Sequence, residues 1–156
     1  MATHPLTGRD ETEHERIDRN LQEFLGELRV ALPGVQVLFA FLLIVPFNQR
    51  FPEITDFQKT VYFVTLLLTA AASVCLIAPT AQHRVEFRRQ HKEQIVMMAN
   101  RLAIVGLGFL AIAMTGAMLL ITDLLYNTTT TVIVTVAVGV AFAVLWYLVP
   151  VRRLVT

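Results

Sequence analysis

The chain predicts an all-α fold: a four-helix transmembrane bundle preceded by an N-terminal amphipathic cytoplasmic helix. Three observations lead there. Four apolar runs, residues 30–47, 60–78, 102–121 and 131–149, contain no Asp, Glu, Lys, Arg or His. Each is long enough, at about 1.5 Å of helix per residue, to cross the roughly 30 Å of bilayer hydrocarbon. Of the 156 residues, 55% are hydrophobic and only 16% charged, with a mean hydropathy of +0.60, which takes the chain out of the soluble class. The 13 Lys and Arg are also unevenly placed. Arg9, Arg16, Arg19 and Arg29 precede the first run, Arg84, Arg88, Arg89, Lys92 and Arg101 lie between the second and third, and Arg152 and Arg153 follow the fourth. Only Arg50 and Lys59 fall elsewhere. Cytoplasmic loops carry the excess of Lys and Arg, so both termini and the middle loop are expected inside a bacterial inner membrane. An even number of spans gives the same result.

The elements follow in order. Residues 1–12 include Pro5 and Gly8 with no apolar period and read as a flexible tail. Thr12 and Glu15 form a T-x-x-E capping pattern ahead of Ile17, Leu21, Phe24, Leu25 and Leu28, which predicts an amphipathic cytoplasmic helix over 13–29. Its polar face mixes acids with Arg16 and Arg19, unlike the Lys/Arg-rich helices that cling to anionic lipid. The transmembrane domain then occupies 30–150. Pro33 and Gly34 lie just inside the first span, where a missing backbone donor predicts a kink or short break and makes the pair a candidate hinge. Pro46 and Pro79 are expected to end the first and second spans. The segment 82–98 has no Gly or Pro, so the second and third helices should protrude from the membrane and meet at a turn near 90–93. The sequon Asn127-Thr128-Thr129 reads as coincidence, and 151–156 as a cytoplasmic tail. No cleavable signal sequence is apparent in the polar first 29 residues, so the first span is expected to act as its own membrane signal.

Helices in lipid associate through close backbone approach and interhelical hydrogen bonds, because lipid tails are as apolar as Leu. Small residues in the third run (Ala103, Gly106, Ala113, Ala117) and the fourth (Ala137, Gly139, Ala141, Ala143) predict that these two helices are close neighbours, within one chain or between subunits. Thr65, Thr69 and Ser73 repeat at i, i+4 and put a hydroxyl stripe on one face of the second helix. Such a stripe serves helix packing or lines a polar path. Gln36 is the one amide well inside a span.

Ionisable groups at membrane depth mark proton and ion pathways, and these spans have none. That argues against an exchanger driven by a midplane carboxylate. It also leaves no paired acids, no nucleophile with a base and no metal-ligand set at depth, so neither an enzyme nor a cofactor or metal site is expected. Cys75 is a buried small hydrophobe in this reading. A net charge of +1 gives no reason to propose nucleic acid. The polar groups that remain cluster at the expected cytoplasmic mouth: Glu27, Arg29, His83, Arg84, Arg88, Asn100 and Arg101. They read either as topology signals or as a ring that attracts anions. His83 and His91, at i, i+8, stand about 12 Å apart on a helix and cannot share a metal.

Two stretches, ELRVALPGVQVLFAFLL over 27–43 and APTAQHRVEFR over 78–88, resemble an uncharacterised family of small four-span bacterial membrane proteins. Its members often carry the label sodium:proton antiporter. The resemblance covers nearly the whole chain and implies a topology. It implies no active residues, so Glu27, Arg29, Pro33, Gly34, Gln36, His83, Arg84, Phe87 and Arg88 enter as candidates by motif position. The label conflicts with spans free of charge, and the residues are given precedence.

The resulting expectation is an integral membrane protein with lipid as its surroundings, assembling as a homo-oligomer around an ion or small-solute path. Gln36, Thr65, Thr69 and Ser73 would line that path, with the basic groups at its mouth. The alternative is a non-conducting scaffold or regulator that recruits a cytoplasmic protein through its N-terminal helix.

Overall fold

The computed structural model describes residues 13–49, 51–86, 92–149 and 152. They form four long helices and no strand: α1 (Glu13–Ile44), α2 (Asp56–Glu86), α3 (Lys92–Leu125) and α4 (Thr128–Ala143). Two 3-10 turns, Val45–Phe47 and Phe51–Glu53, join α1 to α2, and a π-helical turn, Val144–Leu148, prolongs α4. Four segments are long and apolar enough to cross a bilayer: Leu28–Phe47, Asp56–Ala81, Met97–Leu125 and Thr128–Leu148. Length and apolarity mark a multi-pass membrane protein, and large side chains such as Val30, Phe41, Ile112 and Val136 cover its outside.

The expected helix over 13–29 is not a separate element. It is the leading part of α1, which runs unbroken through Pro33. Proline there takes one donor from the ladder and leaves the Arg29 carbonyl without its helical partner, a loss that transmembrane helices tolerate. Pro79 likewise lies inside α2, which continues past it to Glu86. At about 1.5 Å per residue, α3 with its 34 residues is roughly 50 Å long, well beyond the hydrocarbon thickness. The turn expected near 90–93 falls largely outside the described residues, and α3 is already helical at Lys92. Thr12 and the 1–12 tail lie outside them as well.

Hydroxyl and amide side chains set the helix starts. Thr55 and Gln58 form a reciprocal capping box: the Thr55 N–H donates to Gln58 Oε1 (3.0 Å) and the Gln58 N–H to Thr55 Oγ1 (3.2 Å). Asn127 caps α4, its side chain accepting from the Thr130 N–H at 2.9 Å. The residues read as a sequon thus have a structural task.

The helices are joined unequally. The antiparallel pair α2 and α3 share the largest interface, α1 lies mainly on α2 and less on α3, and α4 approaches α3 alone among the described residues. Leu28, Val35, Ala72, Leu76, Ala103 and Leu110 form the core, drawn from the first three helices. Only 6% of the fourth span is buried, against 28% of the second. The third and fourth helices are neighbours, as their small residues predict, but the closest packing belongs to the second and third.

Candidate functional site

Glycine allows α2 and α3 to approach. A Cβ at 106 would stand 2.9 Å from Leu76 Cγ, and one at 116 would overlap the Thr65 hydroxyl. The hydroxyl stripe lies in this interface: Thr65 and Thr69 are buried and Ser73 half-buried. Thr69 Oγ1 donates to the Thr65 carbonyl (2.8 Å) and Ser73 Oγ to the Thr69 carbonyl (2.9 Å). Those two hydroxyls bond to the turn behind them, which satisfies them inside lipid without any partner helix.

Gln36 is elsewhere. It is exposed on α1, eight residues into the span from Leu28, or about 12 Å of helix. The buried face of α1 is the row Leu28, Val35 and Leu42. The structure therefore brings Thr65, Thr69 and Ser73 together and leaves Gln36 outside their group. Pro33 and Gly34 are exposed too, with nothing within 4 Å of the Cβ position of Gly34.

Of the expected mouth residues, Arg29 on α1 and Asn100 and Arg101 on α3 are exposed. Glu27 is helical in α1, and His83 and Arg84 in α2. Arg88, Phe87 and His91 lie outside the described residues. Among the described residues no three His, Cys, Asp or Glu side chains converge as metal ligands would.

Three polar links between helices were not anticipated from the sequence. At one end of the bundle, Gln58 is buried, and its Nε2 donates to Asp123 Oδ2 at 2.9 Å, tying α2 to α3. The Tyr62 hydroxyl donates to the Leu42 carbonyl at 2.9 Å. That carbonyl needs a donor because Pro46, four residues on, has no N–H to return to it. At the opposite end the Tyr147 hydroxyl donates to the Ile104 carbonyl at 3.0 Å, passing over Gly108, where a Cβ would come within 2.8 Å of it. Tyr147 lies within the π turn that prolongs α4. Signals for all three existed: a T-x-x-Q box at Thr55, a proline four residues after Leu42, and a glycine four residues after Ile104.

Two hollows accompany these contacts. An open, almost wholly apolar cleft of about 550 Å³ runs between α3 and α4, with Gly108, Thr115, Gly139 and Tyr147 among its walls. The buried Thr135 Oγ1, also on this cleft, has no hydrogen-bond partner among the described residues. A second cavity of about 490 Å³ lies where the α1–α2 connection meets the far end of α3.

A family model described as a family of unknown function, DUF6328, matches residues 10–150. The chain belongs to that family. Of the expectation drawn from the two motifs, DUF6328 membership supports the uncharacterised family and says nothing about antiport. No curated protein and no solved structure matches this DUF6328 chain.

Proposed function

We propose that this protein is a passive, self-assembling inner-membrane protein, in which copies meet along α1 and enclose an ion or small-solute path with Gln36 at its wall. The observation that carries this reading is the exposure of Gln36 in mid-span. An amide facing hydrocarbon finds neither water nor backbone to bond, at a cost of several kcal/mol on the order of an unsatisfied polar group. A second Gln36 supplies both the donor and the acceptor it lacks, since the amide is complementary to itself about a symmetry axis. Around it, Arg29, Pro33, Ala40 and Leu43 are exposed at the alternating four- and three-residue spacing of a helix–helix seam. Ala40, one turn beyond, leaves room for a close partner.

Thr69 and Ser73 already spend their hydrogens on their own backbone, so the lining rests on Gln36 and the mouth on exposed Arg29 and Arg101. The same commitment favours the second reading, a non-conducting scaffold that recruits a cytoplasmic partner, since Thr69 and Ser73 offer no free hydroxyl hydrogen to a solute. The test is reconstitution in liposomes with ion flux recorded for wild type, Gln36→Leu and Thr69→Val, alongside native mass in nanodiscs. The expected result is a multimer that conducts, with Gln36→Leu losing assembly and flux and Thr69→Val retaining both. An intact multimer without flux selects the scaffold. A Gln36→Leu protein unchanged in mass and flux overturns the role given to α1.

A further inference from the structure

The cavity of about 490 Å³ at the Gln58–Asp123 end falls in the size range of small-molecule sites and combines two kinds of surface. α3 contributes aliphatic side chains, Leu120 and Leu124 among them. The α1–α2 connection and the start of α2 contribute Asn48, Phe51, Glu53 and Gln58. Glu53 is the one charged residue of the lining and has no ion pair among the described residues, whereas nearby Asp56 holds Lys59 at 3.5 Å. The α1–α2 connection and the start of α2 carry Glu53 and Asp56 with Arg50 and Lys59, and Asp123 of α3 adds a third carboxylate at this end.

Gln58 is held from three directions. Its Oε1 and N–H close the capping box with Thr55, and its Nε2 reaches Asp123. The floor of the cavity is therefore fixed before anything binds, which lowers the ordering cost of binding. Phe51, in the same 3-10 turn as the exposed Glu53, packs edge-on against Tyr62, ring centroids 5.4 Å apart, which fixes an aromatic ring in the cavity lining. A carboxylate with an aromatic ring beside it attracts an organic cation, while the aliphatic wall repels a small hydrated one.

We propose that this cavity binds amphiphiles with an ammonium-type cationic head and an apolar body: the head at Glu53 and Phe51, the body on Leu120 and Leu124. Such a molecule comes either from the bilayer, as an amine-headed phospholipid, or from solution, as a hydrophobic amine. The site is complete within one copy of the chain and does not depend on assembly along α1.

The probes are tetraphenylphosphonium and tetraphenylborate, equal in shape and opposite in charge. Equilibrium dialysis against the full-length protein in phosphatidylcholine nanodiscs, with protein-free discs subtracted, should give one saturable site that prefers the cation by about tenfold or more. Glu53→Gln should remove that preference and Glu53→Asp keep it, both with wild-type helix content by circular dichroism. Leu120→Trp fills the cavity from its apolar side and should lose the cation with Glu53 intact. In mixed nanodiscs, phosphatidylethanolamine that stays with the wild type in native mass spectra but leaves Glu53→Gln names the lipid source. Cation binding without retained phosphatidylethanolamine names the soluble one. Equal binding of the two probes, or a cation preference that survives Glu53→Gln, overturns the proposal.

Discussion

Replacing Gly116 by Ala isolates the contact that lets α2 and α3 lie close. The added methyl would overlap Thr65 Oγ1, while Thr65 Cβ and Cγ2 would stand at 3.6 and 3.7 Å, ordinary van der Waals distance. One oxygen is thus the whole obstacle. Overpacking of this kind costs about 1–3 kcal/mol. Alanine returns about 0.5–1 kcal/mol through its better fit to a helix interior. The net expectation for Gly116→Ala is a loss of about 1–2 kcal/mol. In a Thr65→Ala background the obstacle is gone and the new methyl enters the space the hydroxyl left, so the same change should be neutral or stabilising. The coupling between the two positions is then about 2 kcal/mol, well outside the roughly 0.3–0.5 kcal/mol within which independent sites add. The four proteins of the cycle can be unfolded by dodecyl sulfate from maltoside micelles and followed by far-ultraviolet circular dichroism. Additivity within about 0.5 kcal/mol, or a Gly116→Ala protein as stable as wild type, would show that α2 and α3 do not meet in this register.

Three further outcomes can be checked in the same unfolding assay. Tyr62→Phe should cost about 1 kcal/mol or somewhat more, because the Leu42 carbonyl is left buried without its donor, and the loss should shrink when Pro46→Ala restores an N–H four residues on. Gln58→Leu removes the link to Asp123 and half of the capping box and should cost about 1–3 kcal/mol, more than Asp123→Asn, which still accepts from Gln58 Nε2. Gly108→Ala and Tyr147→Phe should each lower stability by about 1 kcal/mol and together by little more than either, since the methyl displaces the hydroxyl that the second change deletes.

The four spans were legible because lipid thickness is written into the length of an apolar run, and residues 30–47, 60–78, 102–121 and 131–149 lie within or overlap the observed segments. Their ends were less so. Apolarity stops at the edge of hydrocarbon, but a helix stops where its capping groups say, so α2 begins after Thr55 rather than at Thr60 and α3 reaches Leu125. Proline marks these ends only loosely: α1 continues past Pro33 and α2 past Pro79, because the helix still meets more of its backbone needs in lipid than any alternative does. The candidate site divides along the same line. Spacing put Thr65, Thr69 and Ser73 on one face, but i, i+4 spacing serves back-bonding and pore lining equally, and only the placement of α3 shows that the face is buried. Gln36 could not be assigned an inward or outward side, since a span apolar all round has no polar contrast to reveal which face packs.

Among the described residues α4 rests on α3 alone, so the four helices are not held equally. Prising the fourth rod free parts a single seam and the Tyr147 bolt, whereas withdrawing α2 would part it from two neighbours at once. A hydrocarbon tail that wedges α4 away from α3 would enter along the open cleft that Gly108 and Gly139 line.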